Sequence, residues 1–189
     1  MVSHTLPSRP ALRAQLRALR ERFASSPEVA AAELSLAQEL TTLVERLEPE
    51  CLGVYWPTQS EFNAAALWHD DKVGTSFRLA LPFAQREPRQ MHYRLWDGSA
   101  PELVDGCNIP ASQGKLTVPD VVLVPCVGFT SGGYRLGYGG GYFDRWMAAN
   151  PHVTAVGVAW SVSRISEEDF AAQPHDQPLA LVVTEQGVA

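Results

Sequence analysis

Lysine is almost missing from this chain. Lys72 and Lys115 are the only two, so thirteen of the fifteen basic residues are arginine. No lysine adjoins a glycine run, which excludes a GxxxxGK[ST] phosphate loop. Any grip on phosphate must come from arginine forks and bare backbone. Cysteine is also scarce. Cys51, Cys107 and Cys126 are odd in number and far apart, so neither a zinc site nor a disulfide framework is expected. Cys51 and Cys126, at strand edges, read as small core hydrophobes. The five histidines show no HExxH spacing, and there is no GxSxG elbow. No run of about 20 apolar residues occurs, so no membrane span is expected. Residues 1–25 carry arginines where a signal peptide would be apolar, which points to the cytoplasm. The net charge of −6 argues against a nucleic-acid partner, and nothing indicates an obligate protein partner.

What is present is concentrated. Gly128 to Gly141 holds seven of the fourteen glycines, in GFTSGGYRLGYGGGYFDR as read on to Arg145. The segment follows the apolar run Val121–Val124 and leads into a helix expected over Tyr142–Ala149. Strand, glycine loop and helix together let backbone N–H groups wrap an anion at a helix N-terminus. Arg135 lies inside the loop, where its guanidinium can grip phosphate in a bidentate fork. Asp144 follows within reach of a hard cation such as Mg²⁺. Flexible linkers are rich in Gly and Ser; they do not alternate glycine with rings such as Tyr134, Tyr138, Tyr142 and Phe143.

The rest of the chain reads as alternating helices and strands. Helices are expected over residues 11–24 and 28–48, and over Glu61–Asp71 with Ser60 as its cap. Strands are expected at Cys51–Trp56, Phe77–Leu81 (ended by Pro82), Gln90–Trp96, Val121–Val124, Val153–Trp160 and Leu179–Thr184, with a loop over 97–118. The uninterrupted Val121–Val124 fits a central parallel strand covered on both faces. The pattern implies a three-layer α/β/α single domain with a mostly parallel sheet. Ligands then bind at the carboxyl ends of strands, where the glycine loop, the Trp56–Glu61 segment and the stretch after Val153–Trp160 all emerge. In the first helix Arg13, Arg17 and Arg20 share a face beside the stripe Leu12, Leu16, Leu19 and Phe23. The plain reading of that face is a solvated basic surface.

RLGYGGGYFDR resembles the RLG-x-G-x-GYYD signature of the 5-formyltetrahydrofolate cyclo-ligase (5,10-methenyltetrahydrofolate synthetase) family. The likeness continues in the family's order through Arg9-x-x-Leu12-Arg13, Tyr55-Trp56-Pro57-Thr58-Gln59-Ser60-Glu61, Leu81-Pro82, Asn108-Ile109-Pro110, and His175-Asp176 through Thr184. Five positions depart from the family's habit. Arg9 stands for a usual Lys, Cys107 for an aromatic, Ala111 for Glu or Gln, Thr130 for Asp, and Phe143 for Tyr.

The resemblance implies a Rossmann-like fold of the CoA-transferase-like kind. It also implies ATP- and Mg²⁺-dependent conversion of 5-formyltetrahydrofolate to 5,10-methenyltetrahydrofolate. Arg9 and Arg13 would then join Arg135 on ATP phosphates, with Gly133, Leu136, Gly137, Tyr138, Gly139, Gly140, Gly141, Tyr142 and Phe143 of the loop. Glu61 would read the pterin, with Trp56 and Tyr142 flanking flat rings. Asp176 would join Asp144 at the metal. Taken without the resemblance, Glu61 reads equally as a first-turn helix acid. Trp56 and Tyr142 read as core, and His175-Asp176 as a turn between two prolines. A same-fold relative acting on another substrate, or a non-catalytic folate or nucleotide binder, is the alternative function.

Overall fold

The computed structural model describes residues 6–68 and 76–189. Helix α1 (Arg9–Ala24) starts where Ser8 Oγ accepts the Ala11 N–H, with Pro10 in the first turn. Helix α2 (Val29–Leu47) ends at Glu48 in a left-handed conformation. Then come β1 (Cys51–Gly53), β2 (Arg78–Gln85), β3 (Gln90–Trp96), β4 (Leu103–Val104), β5 (Pro110–Ala111) and β6 (Leu116–Thr117). The chain closes with β7 (Val121–Pro125), β8 (Gly128–Phe129), β9 (Arg135–Leu136), α3 (Tyr142–Ala149), β10 (Thr154–Val158), β11 (Leu181–Thr184) and β12 (Gly187–Val188). The main sheet runs β12-β11-β10-β7-β1-β2-β3-β6. Its five central strands are parallel, with antiparallel β3 and β6 at one side and β12 at the other.

The expected sandwich is present. Val121 and Leu123 face α2, whose Ala32, Leu36, Leu40 and Val44 form one i,i+4 stripe. Val122 and Val124 face Trp146 and Met147 of α3. Both faces of β7 are therefore covered, which is why it is apolar at every position. Each such side chain contributes about 1.5–3 kcal/mol on burial. α1 packs through Leu12 and Leu16 onto Val127, Leu136 and Ile165, seating itself over the β8–β9 hairpin.

Three expectations change. Glu61–Asp71 is not a helix over its described part. A single 3-10 turn, Ala64–Leu67, forms there, capped by Asn63 and not by Ser60. Glu61 instead turns back to accept the Thr58 N–H at 2.7 Å, and the far end near Asp71 lies outside the described residues. The strand at Phe77–Leu81 does not stop at Pro82. β2 pairs with β1 only up to Ala80 and continues along β3 alone, so the missing proline N–H falls where the strand has become an edge. Residues 97–118 carry three short strands. Among them, β6 adds to the sheet through β3, and β4 with β5 frames a turn that Asp105 holds against β2.

Candidate active site

A cavity of about 650 Å³ opens beyond the carboxyl ends of β1 and β7. It is bounded by the start of α1, the loop after β1, the glycine loop and the stretch before β11. Trp56, Pro82, Met91, Ile109 and Phe143 give it apolar walls, and Arg9, Arg13, Arg135, Glu61, Asp144 and Asp176 supply its charge. A second, more open cleft of about 800 Å³ lies beside Trp96 and Lys115, away from the glycine loop. Of the segments expected to converge, the stretch after β10 reaches the cavity only through residues 173–176.

The glycine loop is shaped as an anion cradle. Gly139 and Gly141 hold φ of 96° and 63°, a region other residues enter with strain. Gly141 caps α3 without any side-chain cap, so the first N–H groups of that helix stay available. Arg13 ties the loop to α1 by donating from Nε to the Gly137 carbonyl at 2.7 Å. Arg135 enters the same space from β9. Its guanidinium is 5.7 Å from the Phe143 ring centre.

Both candidate metal carboxylates are paired with candidate phosphate arginines. Arg135 forks onto Asp144 with nitrogen–oxygen distances of 3.2 to 3.3 Å. Arg9 bonds both oxygens of Asp176, and also donates to the Ala171 carbonyl at 3.0 Å. Burial pushes the Asp176 carboxyl up, but the Arg9 hydrogen bond, the Gln173 N–H and the charges of Arg9 and His175 outweigh it. The group therefore stays below the usual carboxylate range. Asp144 accepts the N–H of Gln177 at 3.2 Å, so the two acids approach from adjoining backbone. Magnesium takes oxygen ligands and often uses one or two carboxylates with substrate phosphates and water. Two carboxylates beside an anion cradle fit that donor set. Among the described residues no group of three or more acids, histidines or cysteines gathers as a protein-only metal cage.

At the loop after β1, Glu61 accepts from Thr58 N–H at 2.7 Å, from Thr58 Oγ1 at 3.1 Å and from Tyr138 O–H at 2.9 Å. Burial raises its pKa, while these donors and the charge of Arg20 oppose the rise. Trp56 stands beside it, edge to face with Trp96 at 6.2 Å. Tyr142 is covered on one side by Arg145, whose guanidinium is 5.5 Å from the ring centre.

Residues 5–185 match the 5-formyltetrahydrofolate cyclo-ligase family. The chain belongs to that family. A 5-formyltetrahydrofolate cyclo-ligase from Haemophilus influenzae is 24% identical over 187 residues, covering 90% of this chain and 94% of that one. One from Mycoplasma pneumoniae is 38% identical over 68 residues, 35% of this chain and 40% of that protein. In three dimensions the chain superposes on a 5,10-methenyltetrahydrofolate synthetase from Mycoplasma pneumoniae with a TM-score of 0.74. The two share 22% identity, over 95% of this chain and 99% of the other.

Within this member of the cyclo-ligase family, fourteen of the sixteen expected site residues line the one cavity. Gly133 and Leu136 do not. Gly133 turns the β8–β9 hairpin and accepts the Leu179 N–H at 2.9 Å, and Leu136 is buried under α1. Of the departures, Cys107 lines the cavity, Ala111 is buried in β5, and Phe143 presents its ring to Arg135. Thr130, also buried, serves the hairpin, where its N–H donates to the Tyr134 carbonyl at 2.9 Å.

Two participants escaped the sequence reading. Asp105 is buried, and its Oδ1 accepts the Cys107 and Ile109 N–H groups at 2.7 and 3.0 Å, fixing one cavity wall. Arg20 is 1% exposed instead of solvated. The buried positions of α1 are Leu12, Leu16 and Arg20, a single i,i+4 row. A charge that continues an apolar row was the available signal.

Proposed function

We propose that the chain converts 5-formyltetrahydrofolate to 5,10-methenyltetrahydrofolate, using ATP and Mg²⁺ and releasing ADP and phosphate. It would act as one catalytic domain in the cytoplasm. The observation that carries this reading is a single cavity holding an arginine-lined glycine loop, a half-buried carboxylate and aromatic walls, in a chain of this family.

The formyl oxygen on N5 attacks the γ-phosphorus of ATP, and the bond to the β–γ bridging oxygen breaks to release ADP. The N10 nitrogen then attacks the activated formyl carbon. Phosphate leaves with the former formyl oxygen and takes the N10 proton, closing the methenyl bridge. Phosphoryl transfer asks the protein for positioning and charge neutralisation, with little covalent help. Arg9, Arg13, Arg135 and the loop N–H groups hold the phosphates in place. Glu61 accepts hydrogen bonds from the pterin N–H edge, and Trp56 with Tyr142 lies along the flat ring. Asp144 and Asp176 would hold Mg²⁺, whose chemistry when bound is charge neutralisation on the phosphates.

Absorbance at the methenyl product's band, recorded with ATP, Mg²⁺ and 5-formyltetrahydrofolate, tests the reaction. Phosphate release that needs 5-formyltetrahydrofolate must accompany it. Phosphate release without the methenyl band would point to a same-fold enzyme with a different acceptor. That reading draws on Cys107, which stands in the cavity wall where the family resemblance expects an aromatic. Folate binding with no phosphate release would point to a non-catalytic binder.

A further inference from the structure

We propose that Arg20 and Tyr138 are positioning residues that hold Glu61 in its folate-accepting state, so that folate recognition depends on the seating of the glycine loop. The inference rests on the folate reading of the cavity.

Arg20 lies under the cavity floor, not in its lining. Its Nη1 donates to the Cys126 carbonyl at 3.2 Å and its Nε to Ser60 Oγ at 3.4 Å. Its Nη2 donates to the Tyr138 hydroxyl at 2.9 Å, and its guanidinium carbon is 5.8 Å from that ring's centre. The same hydroxyl donates onward to Glu61 Oε1 at 2.9 Å. The charge of Arg20 thus reaches Glu61 through a phenol. A hydroxyl that accepts from a guanidinium becomes a stronger donor. A carboxylate partly withdrawn from water is costly unless it is paired and hydrogen-bonded, and this bridge, which reaches half-buried Glu61 from an exposed tyrosine, supplies the pairing.

The bridge also joins two substrate elements. Tyr138 belongs to the glycine loop, and Glu61 to the loop after β1. Thr58 holds the other carboxylate oxygen, so Glu61 has little freedom once Tyr138 is seated. Displacing the glycine loop would withdraw a donor from the folate carboxylate.

Tyr55 and Cys126 lie close enough to feel the charge of Glu61, while Arg9, Arg13, Arg135, Asp144, His175 and Asp176 face the same cavity from α1, the glycine loop and the stretch before β11. Burial holds Tyr55 and Cys126 neutral, with the Cys126 thiol pushed up to about 12. Burial likewise raises Glu61, and Tyr138 and Arg20 oppose it. Removing either should raise Glu61 further. The carboxylate would then take its proton at a higher pH, and folate would be lost at that higher pH.

The test is binding of 5-formyltetrahydrofolate to the full chain from about pH 4 to pH 9, a span that starts in the ordinary carboxylate range and runs upward from it. Tryptophan fluorescence can follow it, since Trp56 lines the cavity. Tyr138→Phe removes one hydroxyl and keeps the ring. It should weaken folate binding roughly tenfold, as for loss of one hydrogen bond to a charged group. It should also move the acid-side loss of binding to higher pH. Arg20→Gln should shift that loss in the same direction. In a Glu61→Gln background, Tyr138→Phe should add no further loss. Wild-type affinity and an unmoved pH profile in folded Tyr138→Phe protein would overturn the inference, and so would an undiminished effect in the Glu61→Gln background. Tyr138→Phe decides the matter should Arg20→Gln fail to fold. A wild-type chain that binds no folate at any pH sinks the proposed function, and this inference with it.

Discussion

Arg135 and Asp144 meet in a forked ion pair on the glycine loop, with three nitrogen–oxygen contacts of 3.2 to 3.3 Å. Arg9 and Asp176 repeat the arrangement from α1 to the stretch before β11. In each pair a cation suited to phosphate neutralises a carboxylate suited to Mg²⁺. Under the proposed function, a magnesium–nucleotide complex would bring the same two charges and take both partners at once, so the charges would stay paired in the loaded site as they are in the empty one.

Arg135→Ala should damage the loaded site more than the empty one. On the proposed function it deletes the contact to the transferring phosphate, and we expect a loss of about 2–4 kcal/mol in transition-state stabilisation. Steady-state kinetics with ATP and 5-formyltetrahydrofolate each varied would show it as a fall in kcat with a raised ATP requirement. Unchanged kinetics for both substrates would remove Arg135 from the site.

Asp144→Asn and Asp176→Asn should each raise the Mg²⁺ concentration needed for nucleotide binding, read by calorimetry without turnover. Asp176 carries a second signature. Its folded pKa is depressed, so its contribution to stability is present above the ordinary carboxylate range and is lost as pH falls through the folded value. Acid unfolding of Asp176→Asn should therefore show a shallower loss of stability than the wild type in that window. Parallel acid profiles would argue that Arg9 does not hold the carboxylate in solution.

Much of this was legible in residues. Val121–Val124 announced a central strand because no polar position interrupts it, and a strand tolerates that only when covered on both faces. The glycine loop announced a wall of the cavity because its glycines alternate with large rings and an arginine. The segment from Glu61 onward misled, because Ala64, Ala65, Ala66 and Leu67 have strong helix propensity and, among the described residues, only a short 3-10 turn forms. Helix propensity lost there to local and distant bonds together: Glu61 folds back on Thr58, Tyr55 O–H reaches the Phe62 carbonyl at 2.9 Å, and Tyr138 and Trp160 reach Glu61 and Ser60 from far along the chain. Arg20 was hidden for a different reason. It fits two helical rows, a basic one with Arg13 and Arg17 and an apolar one with Leu12 and Leu16. Its partners Ser60, Cys126 and Tyr138, all far along the chain, decide between them.

Glu61→Gln should separate function from stability. The amide keeps the shape but replaces one acceptor oxygen by a donor, so 5-formyltetrahydrofolate should bind more weakly while nucleotide binding stays close to wild type. The fold should respond in the opposite sense. Burial raises the folded pKa of Glu61. Such a group loses stability as pH rises from its unfolded value through its folded one, and at neutral pH the wild type carries that cost. Urea unfolding should find Glu61→Gln at least as stable as wild type at pH near 7, with the difference shrinking toward about pH 4. A variant that is less stable at neutral pH, with folate and nucleotide weakened alike, would return Glu61 to a purely structural role.

The cradle itself can be tested with a matched pair of glycines. Gly139 and Gly187 hold similar left-handed backbone, with φ of 96° and 101°. Alanine at either should cost about 1–2 kcal/mol in backbone strain. Their surroundings differ. A Cβ at Gly187 meets nothing within 4 Å, whereas one at Gly139 comes within 3.4 Å of the Arg13 guanidinium carbon. Arg13 is the side chain that ties the loop to α1 through Gly137. Both variants should therefore melt a few degrees lower, as expected for that loss in a chain of this size. Only Gly139→Ala should also lose affinity for a non-hydrolysable ATP analogue, since it alone disturbs an arginine facing the cradle. Equal loss of nucleotide binding in both would attribute the effect to general destabilisation. Full binding by a folded Gly139→Ala protein would show that the anion cradle does not depend on this turn of the loop.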